Sequence, residues 1–285
     1  MNETESLDAL LPAQIARKAE DIGVAKGNMD ALSMFLLAVL AGAFIAMGAV
    51  FSTTAVTGAD SLPWGVTRVL AGLTFCLGLI LVVIAGAELF TGNNLLVMAF
   101  VSGKLPARKL LRNWTIVYVG NFCGSVATAG LMFASGQYKM LDGELGVIAL
   151  NIAQSKCTLL PMEALVRGIY CNALVCLAIW LCFSARTTTG KIAAILFPIT
   201  AFVAAGFEHS VANMYFIPIG LFIKSGAPAA YWQTIDGSTV AVDQITWAGF
   251  MLGNLLPVTI GNIIGGSGFV GVIYWIIYAR KADPR

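Results

Sequence analysis

Apolar residues fall in six long runs separated by short polar segments, at about residues 31–52, 69–101, 114–135, 163–184, 192–223 and 247–278. A helix needs about 20 apolar residues to cross a bilayer, so each run predicts a transmembrane helix. Three of the runs are longer than one simple crossing requires. The second and fifth also carry a polar, glycine-containing patch in mid-run, at 86–94 and 206–213. Lipid cannot satisfy backbone groups freed by a break, so these patches predict interrupted helices lined by protein or a cavity.

Composition agrees with this pattern. The chain is 58% hydrophobic and 11% charged, against about 25% charged in soluble domains, and its 30 glycines suit close-packed membrane helices. The broad class is an all-α integral membrane protein. The first 30 residues carry Glu3, Glu5, Asp8, Glu20, Asp21 and Asp30, so no cleavable signal peptide is expected. Six cysteines form no CxxC pair and read as small membrane hydrophobes. A net charge of +2 says little about partners, and no nucleic acid is expected among them. Three parts follow: an N-terminal segment with an amphipathic helix over 1–30, a pore domain over 31–278, and a tail over 279–285.

Six crossings place both termini on one side. Twelve of the 17 basic residues share that side, among them Lys18, Lys26, Lys104, Arg112, Lys191, Arg280, Lys281 and Arg285. The other side holds Arg68, Lys139, Lys156, Arg167 and Lys224. The positive-inside rule then makes both termini cytoplasmic.

The two interrupted runs resemble each other. AGAELFTGNN (85–94) aligns with AGFEHSVANM (205–214), pairing Gly86 with Gly206, Glu88 with Glu208 and Asn93 with Asn213. VYVGNFCG (117–124) aligns with VTIGNIIG (258–265), pairing Asn121 with Asn262 and repeating a small-xxx-small spacing that lets helix backbones approach. The chain reads as two repeats, about 31–135 and 163–278. With three crossings each, the second repeat enters the bilayer inverted, and such folds carry their site at the broken helices.

Glu88 with Asn93, and Glu208 with Asn213, suit bonding to the loose backbone of their own breaks; anion attraction by half-helix N-termini is a second role for the same places. His209, the single histidine, aligns with Leu89, so the repeat does not require it. A buried imidazole satisfied by a neighbour is one reading. The other is functional, because an ionisable group at membrane depth costs about 2.5–3.5 kcal/mol and imidazole exchanges protons near neutral pH. Thr91 and Asn172 suit either a small solute or a neighbouring helix. Phe75, Leu79, Leu89, Phe90, Val175 and Phe202 are packing residues or, if they line a pore, dry constrictions. One histidine without clustered ligands cannot build a metal shell. No catalytic set and no cofactor site is expected.

AELFTGNN, YCNALVCLAIW, GFEHSVANM and PVTIGNIIGG resemble the signature stretches of the formate/nitrite transporter family, over nearly the whole chain, nearest to its formate channels. The resemblance implies homopentamers of aquaporin-like protomers with one pore each, in a bacterial inner membrane. It implies a substrate path at His209, Thr91, Asn172, Glu208, Asn213, Lys156 and Asn262, constrictions at the apolar set above, and a gating helix near Pro12–Val24. The expected function is passage of formate or a similar monovalent anion, with His209 exchanging a proton and Glu208 orienting the ring. Lys156, Arg68, Arg167 and Lys224 either draw anions or solvate loops. Nitrite or hydrosulfide is the alternative cargo. A neutral-solute channel lacks its paired NPA motifs here, and Ser210 beside His209 lacks the GxSxG setting of a hydrolase.

Overall fold

The structure is a computed structural model describing residues 9–235 and 240–280. Residues 1–8 and 281–285, including Lys281 and Arg285 of the charge count, lie outside it. Among the described residues every regular element is helical.

The first half holds α1 (Pro12–Asn28), α2 (Ala31–Val56), α3 (Trp64–Ala85), α4 (Gly92–Val101) and α5 (Ala107–Ala134). The second holds α6 (Glu144–Cys157), α7 (Pro161–Ser184), α8 (Thr188–Ala204), α9 (Ser210–Gly226), the short α10 (Ala229–Thr234) and α11 (Gly249–Tyr278). Local chemistry sets several boundaries. The Asp30 carboxylate accepts from the Ser33 amide at 2.9 Å to start α2, and Pro161 opens α7, where a missing N–H does no harm. Gly86 (φ +84°) and Gly206 (φ +73°) end α3 and follow α8 in the left-handed region, which glycine enters without steric cost.

α2, α3, α5, α7 and α11 are long and apolar enough to cross a membrane. The fifth apolar run is divided instead into α8 and α9, of 17 residues each. The breaks predicted at 86–94 and 206–213 are both present.

α2 packs on α3 and α5; α7 packs on α8 and α11 in the same relation. The repeated small residues bring these helices together: a Cβ on Gly124 would lie 2.0 Å from the Val39 carbonyl oxygen, and one on Gly265 2.0 Å from that of Ile169. Polarity is inverted relative to a soluble fold. Leu36, Leu40, Met47 and Phe51 of α2 face outward while Asn113, Asn121, Asn172, Asn254 and Asn262 are fully buried, the arrangement lipid requires.

One element exceeds the sequence reading. α6 stands between the third and fourth runs and packs on α9, as α1 packs on α4. Lys26 of α1 and Lys156 of α6 each lie five residues before the first residue of the following span, Ala31 or Pro161. The repeated unit therefore includes these leading helices, and starts before the expected 31 and 163.

Candidate functional site

Each helix break is held by the same kit. The Glu88 carboxylate takes the Lys26 ammonium at 3.0 Å and the Asn93 amide at 2.7 Å. Glu208 takes the Lys156 ammonium at 2.8 Å, the Asn213 amide at 2.7 Å and the Asn254 amide at 3.1 Å. Asn113 and Asn254 occupy matching places, their Oδ1 accepting from Asn93 and Asn213 at 3.0 and 2.7 Å. Asn121 donates to the carbonyls of Ala38 and Glu88 and accepts from the Phe90 amide. Asn262 donates to those of Gly168 and Glu208 and accepts from the Ser210 amide. Each asparagine thus satisfies two backbone groups that a break leaves exposed, the need created when a helix is interrupted in lipid, and ties the break to a carbonyl of the neighbouring α2 or α7.

The symmetry fails at two points. Asn93 Oδ1 accepts from Lys26 at 2.9 Å, whereas Asn213 Oδ1 has no partner; with Ser210 Oγ it is one of two such buried atoms among the described residues. The second departure is His209. Its Nδ1 accepts from the Ala212 amide at 3.0 Å and caps α9. Its Nε2 lies 2.9 Å from Thr91 Oγ1, across the two breaks. An Nδ1 that accepts an N–H carries no proton, so the neutral ring is protonated on Nε2 and donates to Thr91. Phe202 stacks on the ring at 5.9 Å.

The expectation that Glu208 orients the imidazole is corrected here. Its carboxylate is occupied by Lys156, Asn213 and Asn254, and the Ala212 amide and Thr91 hold the ring. For Asn172, expected to meet either a small solute or a neighbouring helix, the amide donates to Asn94 Oδ1 at 3.1 Å and the Asn262 carbonyl at 2.7 Å, bracing α7 against α4 and α11. Lys224 donates to the Ile245 carbonyl, away from the path.

Two cavities approach this centre from opposite ends of α3. One, about 670 Å³, on the side that the charge pattern makes the outer one, is lined by Arg68, Phe75, Lys156, Arg167, Phe202, Glu208, His209 and Asn213. The inner one, about 290 Å³, lies under α1 and is lined by Lys18, Lys26, Val82, Glu88, Leu89, Asn93 and Lys191. They share no lining residue. From Phe75 at one to Val82 at the other, α3 rises about 10 Å, and Leu79, fully buried, stands between. Of the expected constriction residues, Phe75 and Phe202 meet edge-on at 5.7 Å beside His209 and Leu89 closes the inner end. Leu79, Val175 and Phe90 are buried and line neither cavity; Phe90 packs on Tyr118 of α5 at 4.9 Å. Among the described residues, three cations face one carboxylate in each cavity, leaving a surplus of positive charge on both sides of the apolar segment.

Lys26, Asn113 and Asn254 escaped the sequence reading. Their signal was available in part: Lys26 and Lys156 precede their spans by the same interval.

The sequence model of the formate/nitrite transporter family matches residues 13–276. The chain is 41% identical to the formate channel FocA of Escherichia coli K12 over 283 residues, 99% of each chain. It is 40% identical to the FocA of Haemophilus influenzae over 95% of each. Among solved structures, a pentameric formate channel with formate bound superposes with a TM-score of 0.83 at 45% identity, covering 88% of this chain and 98% of that one. Broken helices, buried asparagine braces and these full-length matches agree: the chain belongs to the formate/nitrite transporter family and is a multi-pass membrane protein.

Proposed function

We propose that this chain conducts formate across a bacterial inner membrane, one pore per protomer of a homopentamer, with both termini cytoplasmic and six crossings in inverted repeats. It acts as a channel and not as an enzyme. The observation that carries the reading is the pair of electropositive cavities separated by a short apolar barrier with one histidine–threonine pair at its centre.

Lys156, Arg68 and Arg167 on the outer side, and Lys18 and Lys191 on the inner, raise the local anion concentration. A bare anion crossing between Phe75, Leu79, Leu89 and Phe202 loses its hydration at a cost of many kcal/mol. Conversion to the neutral acid removes most of that cost. His209 supports it through a relay. A proton from the outer cavity enters at Nδ1 as the Ala212 amide is released. The Nε2 proton then passes to Thr91 Oγ1 while the Thr91 hydroxyl proton goes to formate. Formic acid and a neutral Nδ1–H imidazole result, with threonine unchanged. Lys156, Glu208, Asn213 and Asn262 keep the second break in register, and Asn172 braces it.

Liposomes containing the purified protein test the cargo: swelling rates with formate, nitrite, hydrosulfide and glycerol are compared. Formate entering fastest and glycerol not at all is the expected result. Glycerol entry would replace the anion reading with a neutral-solute channel, and a nitrite or hydrosulfide rate above that of formate would replace the cargo.

A further inference from the structure

The inner cavity holds a charge imbalance beyond what attracting a monovalent anion requires. Among the described residues its only lining carboxylate, Glu88, is taken by Lys26 at 3.0 Å. Lys18 of α1 and Lys191 of α8 line the same cavity, and none of the described carboxylates is left for them. Lys18 donates once, to the Phe183 carbonyl at 2.9 Å, leaving donors unused. The Lys191 ammonium has no hydrogen bond or ion pair among the described residues. Burial, then the nearby Lys191 and Arg186, hold the Lys18 ammonium below the ordinary lysine value.

The outer cavity differs. There Lys156 is paired with Glu208, Arg167 faces Glu163 at 4.0 Å, and Arg68 donates to the Ala204 carbonyl at 3.2 Å and to that of Val203. Every outer cation has a protein acceptor. On the inner side the cations come from two separate bodies, the leading helix α1 and the start of α8. Their mutual repulsion pushes α1 off the bundle unless something neutralises it.

We propose that Lys18 and Lys191 form a binding site for a dianionic oxyanion of the phosphate type, which bridges α1 to α8 and holds α1 over the inner cavity. The charge of the occupant follows from the surplus among the described residues: two ammonium groups remain after Lys26 neutralises Glu88, and a monovalent anion leaves one uncompensated. A fully hydrated dianion is also rejected by the dry barrier, so it regulates and is not carried. This regulatory consequence rests on the channel reading above; the binding site does not.

The test uses full-length protein in lipid nanodiscs, with inorganic phosphate as probe and chloride at equal ionic strength as reference. Hydrogen exchange is read at the α1 amides. With phosphate tenfold above its dissociation constant, α1 exchange slows roughly tenfold in the wild type. The slowing is lost in Lys191→Gln and in Lys18→Gln, and kept in Lys139→Gln on the opposite side. No phosphate effect in the wild type, or an effect undiminished in Lys191→Gln, overturns the site. Lys191 makes no side-chain bond among the described residues, so that variant folds if the wild type does. Formate flux into liposomes is measured in parallel. Absent flux with intact phosphate protection would defeat the channel reading alone; normal flux without protection would defeat this proposal alone.

Discussion

Removing the Lys156 ammonium leaves the Glu208 carboxylate buried at the second break. The two side chains are 14% and 5% exposed and meet at 2.8 Å. Loss of one member of a buried pair costs about 3–5 kcal/mol, mostly for the charge left behind. Glu208 retains two amide donors, from Asn213 and Asn254, which places Lys156→Gln near the lower end, about 3 kcal/mol. Glu208→Gln alone strands a lysine that borders the outer cavity and is re-solvated from it, so its cost is smaller, about 1–2 kcal/mol. The double variant replaces the ion pair by two neutral amides and recovers much of the loss, giving a coupling energy of about 2 kcal/mol. The mirror pair, Lys26 with Glu88, has a lysine 28% exposed, and solvent screening reduces its coupling below that of the second break. The assay is unfolding in mixed micelles, followed by tryptophan fluorescence, for the four members of each cycle. A coupling near zero at 156/208, or one larger at 26/88, would mean that Glu208 is not held as a buried charge by Lys156.

Asn262→Ala strands the Ser210 amide and the Glu208 carbonyl together, at about 1–3 kcal/mol for each unpaired group; size-exclusion chromatography after extraction should show little folded protein, and a normal yield would count against the brace. Gly265→Ala drives a methyl into the Ile169 carbonyl and should lower the melting temperature by several degrees, while Gly268→Ala, with nothing within 4 Å of its Cβ, should be neutral within about 0.5 kcal/mol. Equal effects of the two alanines would remove close backbone contact as the reason for the repeated glycines.

Much of this architecture was legible because lipid imposes few solutions. Long apolar runs leave helices as the only spanning form, and the shared Gly-x-Glu at 86–88 and 206–208 marked both breaks and the duplication. The paired Asn121 and Asn262 could be matched as residues, although what they bond appears only once Gly42 and Gly168 are seen to admit them closely. Other features were hidden for physical reasons. α6 carries polar residues among apolar ones, so its hydropathy does not announce a helix. Asn113 and Asn254 look like ordinary polar residues near span ends, and only the fold brings them to Asn93 and Asn213. Adjacency in sequence misled at Glu208 and His209, because consecutive residues at a helix start point apart. One side chain faces the leading helix, the other the opposite break.

That separation makes His209 testable without disturbing Glu208. His209→Asn keeps an N-cap acceptor for the Ala212 amide and removes the group that changes charge. Formate uptake and lumen acidification are recorded together in proteoliposomes under an inward pH gradient. In the wild type, one proton should enter with each formate. In His209→Asn the protein should remain folded and proton entry should fall away from formate movement. A proton-to-formate ratio unchanged by this substitution would contradict the central role assigned to the histidine.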